Sequence, residues 1–334
     1  MSAPDPDSPG DRLVIALDFG TTFSGVAYAF DVLGKEAEII PIQEWPGLEG
    51  YRQPKVPTLI MYDENDSSKF KWGGQVNWRD PAVRGVKLLL DPDQPLPAFF
   101  RGSRAEMDLP DLPKAPVDVV ADYLRAIYNH AVSVIESSVI RAYAQSCPRA
   151  FVLTVPAAWS DKAKDLTAKA AEKAGIHPIT LIKEPEAAAL QSLTTHDHGI
   201  KANAGGGTVD LITYKIKKLE PRPELAELVP GNSGMAGSLG LNRRFEFAVR
   251  AVVGEEQFVN LKKTVGWSKA LLDFDKNIKT AFNGDTRVKH YVSFPMARLR
   301  DDSEKHILGN CWEMSGLSSK KFNDWWKFRS TVPV

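Results

Sequence analysis

The sequence has only two cysteines in 334 residues, Cys147 and Cys311, far apart and with no Cys-x-x-Cys pair. That scarcity excludes a disulfide framework and a cysteine-built zinc site, and it makes a reducing compartment, cytoplasmic or nuclear, the expectation. An excess of either charge is lacking as well: 42 Lys and Arg balance 42 Asp and Glu. No global basic field exists to recruit nucleic acid or an anionic membrane, and short clusters such as "KIKK" and "SSKKF" read as solvated faces. Nowhere do about 18 apolar residues run together, which excludes a spanning helix on length. The first residues, "MSAPDPDSPGDR", lack the apolar stretch of a secretory signal, and residues 1–11 are expected to form a disordered tail.

What is present is an alternation of strand and helix signals. "RLVIALDFGTTFSGVAYAF" (12–30) reads as two apolar strands about a Gly/Thr turn, and "AEIIPI" (37–42) as the next strand. Residues 43–115 are rich in Pro and Gly, with short elements at "TLIMY" and "RGVKLLL". A long helix follows from Pro116, with an apolar stripe of Val120, Leu124, Ile127, Ala131 and Val134, and it ends before Pro148. "RAFVLTVP" (149–156) and "ITLIKEP" (179–185) are strands flanking a helix over 160–175, with Ser160 as N-cap and Gly175 just past its end. "TVDLITYKI" (208–216) and "LAELV" (225–229) continue the strands, and "GNSGMAGSLG" (231–240) reads as a glycine loop. Helices at 241–253 and 266–282 and a strand at 287–294 complete the pattern, while "WEMSGLSSKKFNDWWKFRSTVPV" carries no assignable period. The fold class is α/β.

Two glycine turns echo each other: "DFGTTFSGVAYAF" from Asp18 and "NAGGGTVDLITYKI" from Asn203. A turn without bulky side chains lets backbone N–H groups approach a phosphate, and threonine hydroxyls add donors. Taken singly, "GGG" reads more readily as a flexible linker than as a ligand cradle.

In combination, "ALDFGTTFSGVAY", "AFVLTVPAAWSDKAKDLTAKAAEKAGI", "LIKEPEAAAL" and "AGGGTVDL" resemble the nucleotide-binding domain of the seventy-kilodalton heat-shock chaperones, within the actin-like ATPase superfamily. The four segments stand in family order over roughly residues 12–216. The tryptophan of "PAAWSD" and the Pro-rich region before the long helix are closer to the divergent, fungal-type members. The resemblance implies an actin-like ATPase (ribonuclease H-like) fold with two lobes and mixed sheets, the first over 12–192 and a partial second over 193–334. It also implies ATP or ADP and Mg²⁺ as cofactors.

Residue by residue, the resemblance puts Gly20, Thr21, Thr22 and Phe23 on one side of the phosphates and Gly205, Gly206, Gly207 and Thr208 on the other. Phosphoryl transfer asks the protein for positioning, charge neutralisation and an oriented water. Asp18 would hold the metal through water, since Mg²⁺ keeps much of its hydration shell; the alternative is a turn aspartate capping its own backbone. Glu184 would face the metal waters or the attacking water, or else is a helix-entry carboxylate. Asp210 would help to place the water or a monovalent cation, unless it is an ordinary aspartate at a sheet edge. Lys87 stands where the family has a lysine that neutralises the γ-phosphate, and a solvated surface lysine is its alternative. Asp275 and Lys279 stand where a family helix contacts ribose and base, and a surface i,i+4 salt bridge is theirs.

Asn203 replaces an aspartate of the family. Asn keeps an acceptor of similar shape, so a metal water can still be bound, but a full negative charge is lost. The preceding "HGIKAN" is polar where the family has a buried apolar run, and neither the second connecting segment nor the late GG-x-[ST]-x-x-P adenosine motif is found by residue 334. The chain reads as a nucleotide-binding domain cut inside its second lobe, with no peptide-binding domain.

The expected function is Mg-dependent ATP binding of the chaperone type, with weak or impaired hydrolysis. The alternatives are a non-catalytic pseudo-ATPase acting as an interaction module and a small-molecule kinase of the same superfamily. Expected partners are nucleotide and, through the resemblance, client proteins or co-chaperones, with no nucleic acid and no membrane.

Overall fold

The computed structural model describes residues 10–77, 80–91, 112–194, 203–206, 209–218, 224–234, 237–281, 285 and 287–315. They form a mixed α/β fold in two compact units, 1–237 and 238–334.

In the first unit, the alternation Leu13, Ile15 and Leu17 buries one face of β1 (Arg12–Asp18), as period-two apolar patterning requires. It pairs antiparallel with β2 (Phe23–Asp31), Asp18 opposite Gly25, so the expected hairpin is present with Phe19–Thr22 as its turn. Two short strands join β2: β3 (Ile40–Pro41) and β4 (Val56–Pro57), which pairs with Phe23 and Ser24. Next come β5 (Leu59–Tyr62), β6 (Phe70–Trp72) and β7 (Val83–Arg84), which make a separate small sheet. "RGVKLLL" closes as a 3-10 turn over Val86–Leu90.

Helix α1 (Pro116–Ser138) begins at the proline, whose missing N–H is harmless in a first turn. Val120, Leu124, Ile127 and Ala131 of the expected stripe are buried, whereas Val134 is only partly buried and Ile135 fills the last core position. A short α2 (Arg141–Ser146) leads to β8 (Arg149–Val155). In α3 (Asp161–Lys173) the Ser160 hydroxyl accepts the Ala163 N–H at 3.2 Å, and Gly175 takes φ +84° beyond the C-terminus, both as expected. Then β9 (Ile179–Lys183) runs into α4 (Glu184–Thr194).

The central sheet has the order β3-β2-β1-β8-β9, with β1, β8 and β9 parallel. One core of β1, β2, α1, β8 and α3 side chains lies against it. The unit ends with β10 (Asn203–Ala204), β11 (Val209–Lys218) and β12 (Glu224–Gly234), joined antiparallel in that order. Here the structure corrects the sequence reading. The first part of the expected glycine loop, Gly231–Gly234, is strand, because its backbone continues the ladder with β11 through Val209 opposite Gly234.

The second unit packs α5 (Ser238–Val253), α6 (Glu255–Leu261) and α7 (Val265–Asp273) on a three-stranded sheet. The helix expected over 266–282 continues from α7 through a π turn, Phe274–Ile278, into α8 (Lys279–Ala281). The sheet consists of β13 (Lys289–Ser293), β14 (Ile307–Leu308) and β15 (Cys311–Ser315). Strand β15 lies in the stretch without readable period, and pairing with both β13 and β14 supplies the order that local sequence does not. The expected tail at 1–11 lies outside the described residues over 1–9. Among the described residues, no helix is long and apolar enough to cross a membrane.

Ile15, fully buried in β1, gives a direct test of the first core. Ile15→Ala is expected to lower the unfolding free energy by about 2–5 kcal/mol. Leu33→Ala, at a residue 87% exposed, should change it by less than about 0.5 kcal/mol. Urea denaturation followed by circular dichroism measures both.

Candidate functional site

The parallel strands β1, β8 and β9 all end on the same edge of the sheet, the edge at which open α/β sheets place their ligands. The register Leu17 opposite Leu153 sets Thr154 beside Asp18, and the Thr154 hydroxyl donates to Asp18 Oδ1 at 2.9 Å. Val155 opposite Lys183 brings the end of β9 level, so that Glu184 opens α4 on that edge.

The first glycine turn is tied down from the chain that follows it. The Thr58 N–H donates to the Thr22 carbonyl at 2.8 Å, and its hydroxyl to the Gly20 carbonyl at 2.9 Å. Ser24 and Thr58, both buried, share a hydroxyl contact of 2.8 Å. At Gly20 a Cβ would overlap the Phe23 carbonyl oxygen, so the turn closes only around a residue without a side chain. Thr21 is buried, Thr22 half-buried, and Phe23 is 49% exposed.

The second turn meets the first. A Cβ on Gly206 would overlap the Thr22 hydroxyl and lie 2.7 Å from its Cγ2. Two glycine turns far apart in sequence are thus packed against each other in one unit, with space only for backbone at Gly206. The ladder of β10 and β11 sets Asn203 opposite Asp210 at the base of this turn. Gly205 and Gly206 are half-buried, while Gly207 and Thr208 lie outside the described residues.

Two ion pairs flank the first turn. Lys87 is 3% exposed, with Nζ 2.6 Å from Glu184 Oε1 and within 5.8 Å of the Phe19 ring centre and 5.3 Å of that of Trp159. The solvated-lysine alternative is therefore wrong: the "VKLLL" turn carries the side chain inward, where burial demands a partner. The other pair joins Lys55 to Asp18 Oδ2, both side chains 43% exposed. Desolvation works against the Asp18 charge, but the Lys55 charge and hydrogen bond, helped by Lys87 and Thr154, outweigh it and hold the carboxyl below the usual aspartate range. Its contribution to stability is present at neutral pH and is lost as pH falls through that lowered value.

Asp275 and Lys279 belong to the second unit. They form the i,i+4 ion pair, and Lys279 Nζ also donates to Ser238 Oγ at 2.5 Å and lies 3.4 Å from Asn242 Oδ1. The structure thus gathers Asp18, Gly20–Phe23, Lys87, Glu184 and Gly206 around one turn region. Sequence reasoning missed Lys55, Thr58 and Thr154. Thr154 stood in a recognised strand, and the parallel register of that strand with β1 could have found it; Lys55 and Thr58 sit in a proline-flanked loop with no periodic signal.

The residues present fit a polyphosphate. Gly206 brings the second turn against the Thr22 side chain of the first, Thr21 and Thr22 stand in the first turn, and two ammonium groups stand close by. They fit a hydrated divalent metal through Asp18 and Glu184, each carboxylate now held by a lysine.

No family model matches the chain. It is 25% identical to heat shock 70 kDa protein 12A of Homo sapiens in an alignment of 345 positions covering 80% of this chain and 50% of that protein. Heat shock 70 kDa protein 12B of Homo sapiens is 23% identical, covering 83% and 50%. A chaperone protein HscA homolog of Pseudomonas fluorescens is 30% identical over 222 positions, 61% of this chain and 33% of the relative. The chain thus spans a third to a half of the length of the curated relatives it matches.

Thr58→Val keeps the shape and removes the hydroxyl, leaving the Gly20 carbonyl without that partner. It is expected to cost about 1–3 kcal/mol in urea denaturation. Lys87→Met removes the buried ammonium group that faces Glu184 and should cost more, about 3–5 kcal/mol, in the same measurement.

Proposed function

Because the chain is a relative of the seventy-kilodalton heat-shock proteins, with an actin-like ATPase type of fold, we propose that it binds ATP at the two packed glycine turns. The single observation that carries this reading is the contact of Gly206 with Thr22, which brings two otherwise unremarkable turns together at one place. Lobes over 12–192 and 193–334, a cytoplasmic location, and clients or co-chaperones as partners belong to the same proposal.

When bound, MgATP supplies a γ-phosphoryl group open to in-line attack by water. The amides and hydroxyls of Gly20–Phe23 and, by the resemblance, of Gly205–Thr208 would hold phosphate oxygens. Lys87, prepaid in position by burial against Glu184, neutralises charge at the far end of the chain of phosphates. Asp18 and Glu184 would hold the metal through its waters, Asp210 would help to place the attacking water, and Asn203 would offer an acceptor without a charge. Asp275 and Lys279, in the second unit, stand where the resemblance has nucleoside contacts.

The missing charge at Asn203 bears on hydrolysis more than on binding. A unit charge pair near 4 Å is worth about 4 kcal/mol at an effective dielectric of about 20 before screening. Backbone donors, which would carry most of the phosphate contacts, would be unaffected by it. A protein that binds ATP and hydrolyses it weakly is the expected outcome, and a pseudo-ATPase serving as an interaction module is the second reading that Asn203 favours.

Titration calorimetry with MgATP, paired with single-turnover hydrolysis on this chain and on Asn203→Asp, tests the assignment. Saturable binding by both proteins is expected, with hydrolysis at least about tenfold faster in Asn203→Asp, a barrier change of about 1.4 kcal/mol. No binding heat at millimolar MgATP would reject the site, and unchanged turnover in the variant would reject the role of position 203.

A further inference from the structure

Lys55 stands in the Pro-rich loop "RQPKVP", and neither the chain's motifs nor the proposed site residues account for it. Its neighbours Val56 and Pro57 pair with Ser24 and Phe23, which sets Lys55 across from the beginning of β2. There Gly25 faces Asp18 in the hairpin ladder. A Cβ on Gly25 would lie 2.8 Å from the Pro54 carbonyl oxygen and 3.0 Å from Lys55 Cδ. The missing side chain of Gly25 therefore makes the channel along which the lysine stem crosses β2 to reach the Asp18 carboxylate.

The two lysines at the site differ in what they are free to do. Lys87 is 3% exposed and set between two rings against Glu184, whereas Lys55 is 43% exposed on a flexible four-carbon stem. A half-exposed ion pair contributes little, so its ammonium group can exchange partners at small cost. The carboxylate it occupies is also the one that fits a hydrated metal.

We infer that Lys55 is a built-in counter-ion for nucleoside polyphosphate: it covers Asp18 in the unliganded protein and turns to the phosphates when nucleotide enters, so that nucleotide is held without a divalent cation. This rests on the reading of the glycine turns as an ATP site. The added cation does part of what a metal does for the phosphate charge, and Mg²⁺ and Lys55 compete for the same carboxylate. The ligand class is the free, metal-less nucleoside polyphosphate.

Titration calorimetry of ATP in EDTA and in millimolar Mg²⁺, on the chain as it stands and on Lys55→Met and Lys55→Arg, tests this. The unsubstituted protein is expected to bind in EDTA within about tenfold of its affinity in Mg²⁺. Lys55→Met should widen that ratio by a further factor of about ten or more, and Lys55→Arg, which keeps the charge, should restore it. Equal ratios for the unsubstituted protein and Lys55→Met would overturn the inference while leaving the ATP site standing, as would binding by the unsubstituted protein in Mg²⁺ but not in EDTA. The latter comparison needs no variant to fold. Absence of binding in both solutions would overturn the ATP reading itself, and this inference with it.

Discussion

The ion pair between Lys87 and Glu184 is the constraint around which the sheet edge is arranged. An ammonium group that is almost wholly buried stays there only opposite a carboxylate, since stripping its water costs several kcal/mol. Meeting that demand ties the 3-10 turn at Val86–Leu90 to the first residue of α4. The rings around the ammonium group belong to Phe19, which follows β1, and Trp159, which precedes the Ser160 cap of α3. One buried charge thus registers the hairpin turn, the 3-10 turn and the entries to two helices.

With those segments fixed, the turn after β1 has little freedom. Thr58 bonds both Gly20 and Thr22, and Gly206 lies against the Thr22 side chain. Backbone donors held this way suit charge stabilisation because they need no rearrangement when an anion arrives. The carboxylates and lysines beside them form two pairs of contrasting exposure, one buried between Lys87 and Glu184, the other half-exposed between Lys55 and Asp18. Two packed glycine turns beside one buried and one half-exposed lysine give the site its electrostatic character.

Much of this was legible where the signal is local. The β1–β2 hairpin follows from two apolar runs about a Gly/Thr turn, α1 from its proline and apolar stripe, and α3 from its serine cap and trailing glycine. What escaped depends on partners distant in sequence. Strand β15 is ordered by β13 and β14, and the glycines of β12 become strand because β11 lies alongside them. The burial of Lys87 was equally invisible, because Glu184, the partner that permits it, is 97 residues away. Lys55 reaches Asp18 only through the pairing of a two-residue strand, for which no sequence periodicity exists.

The central claim is that the backbone of the two packed turns is what holds the ligand. Hydrogen–deuterium exchange of the chain with and without saturating MgATP tests it most directly, because the amides themselves report. The account predicts slowed exchange at Gly20–Phe23 and at Gly205–Gly206, with the exposed turn at Leu33–Gly34 unchanged. Saturable nucleotide binding with no slowing at either glycine turn would contradict it.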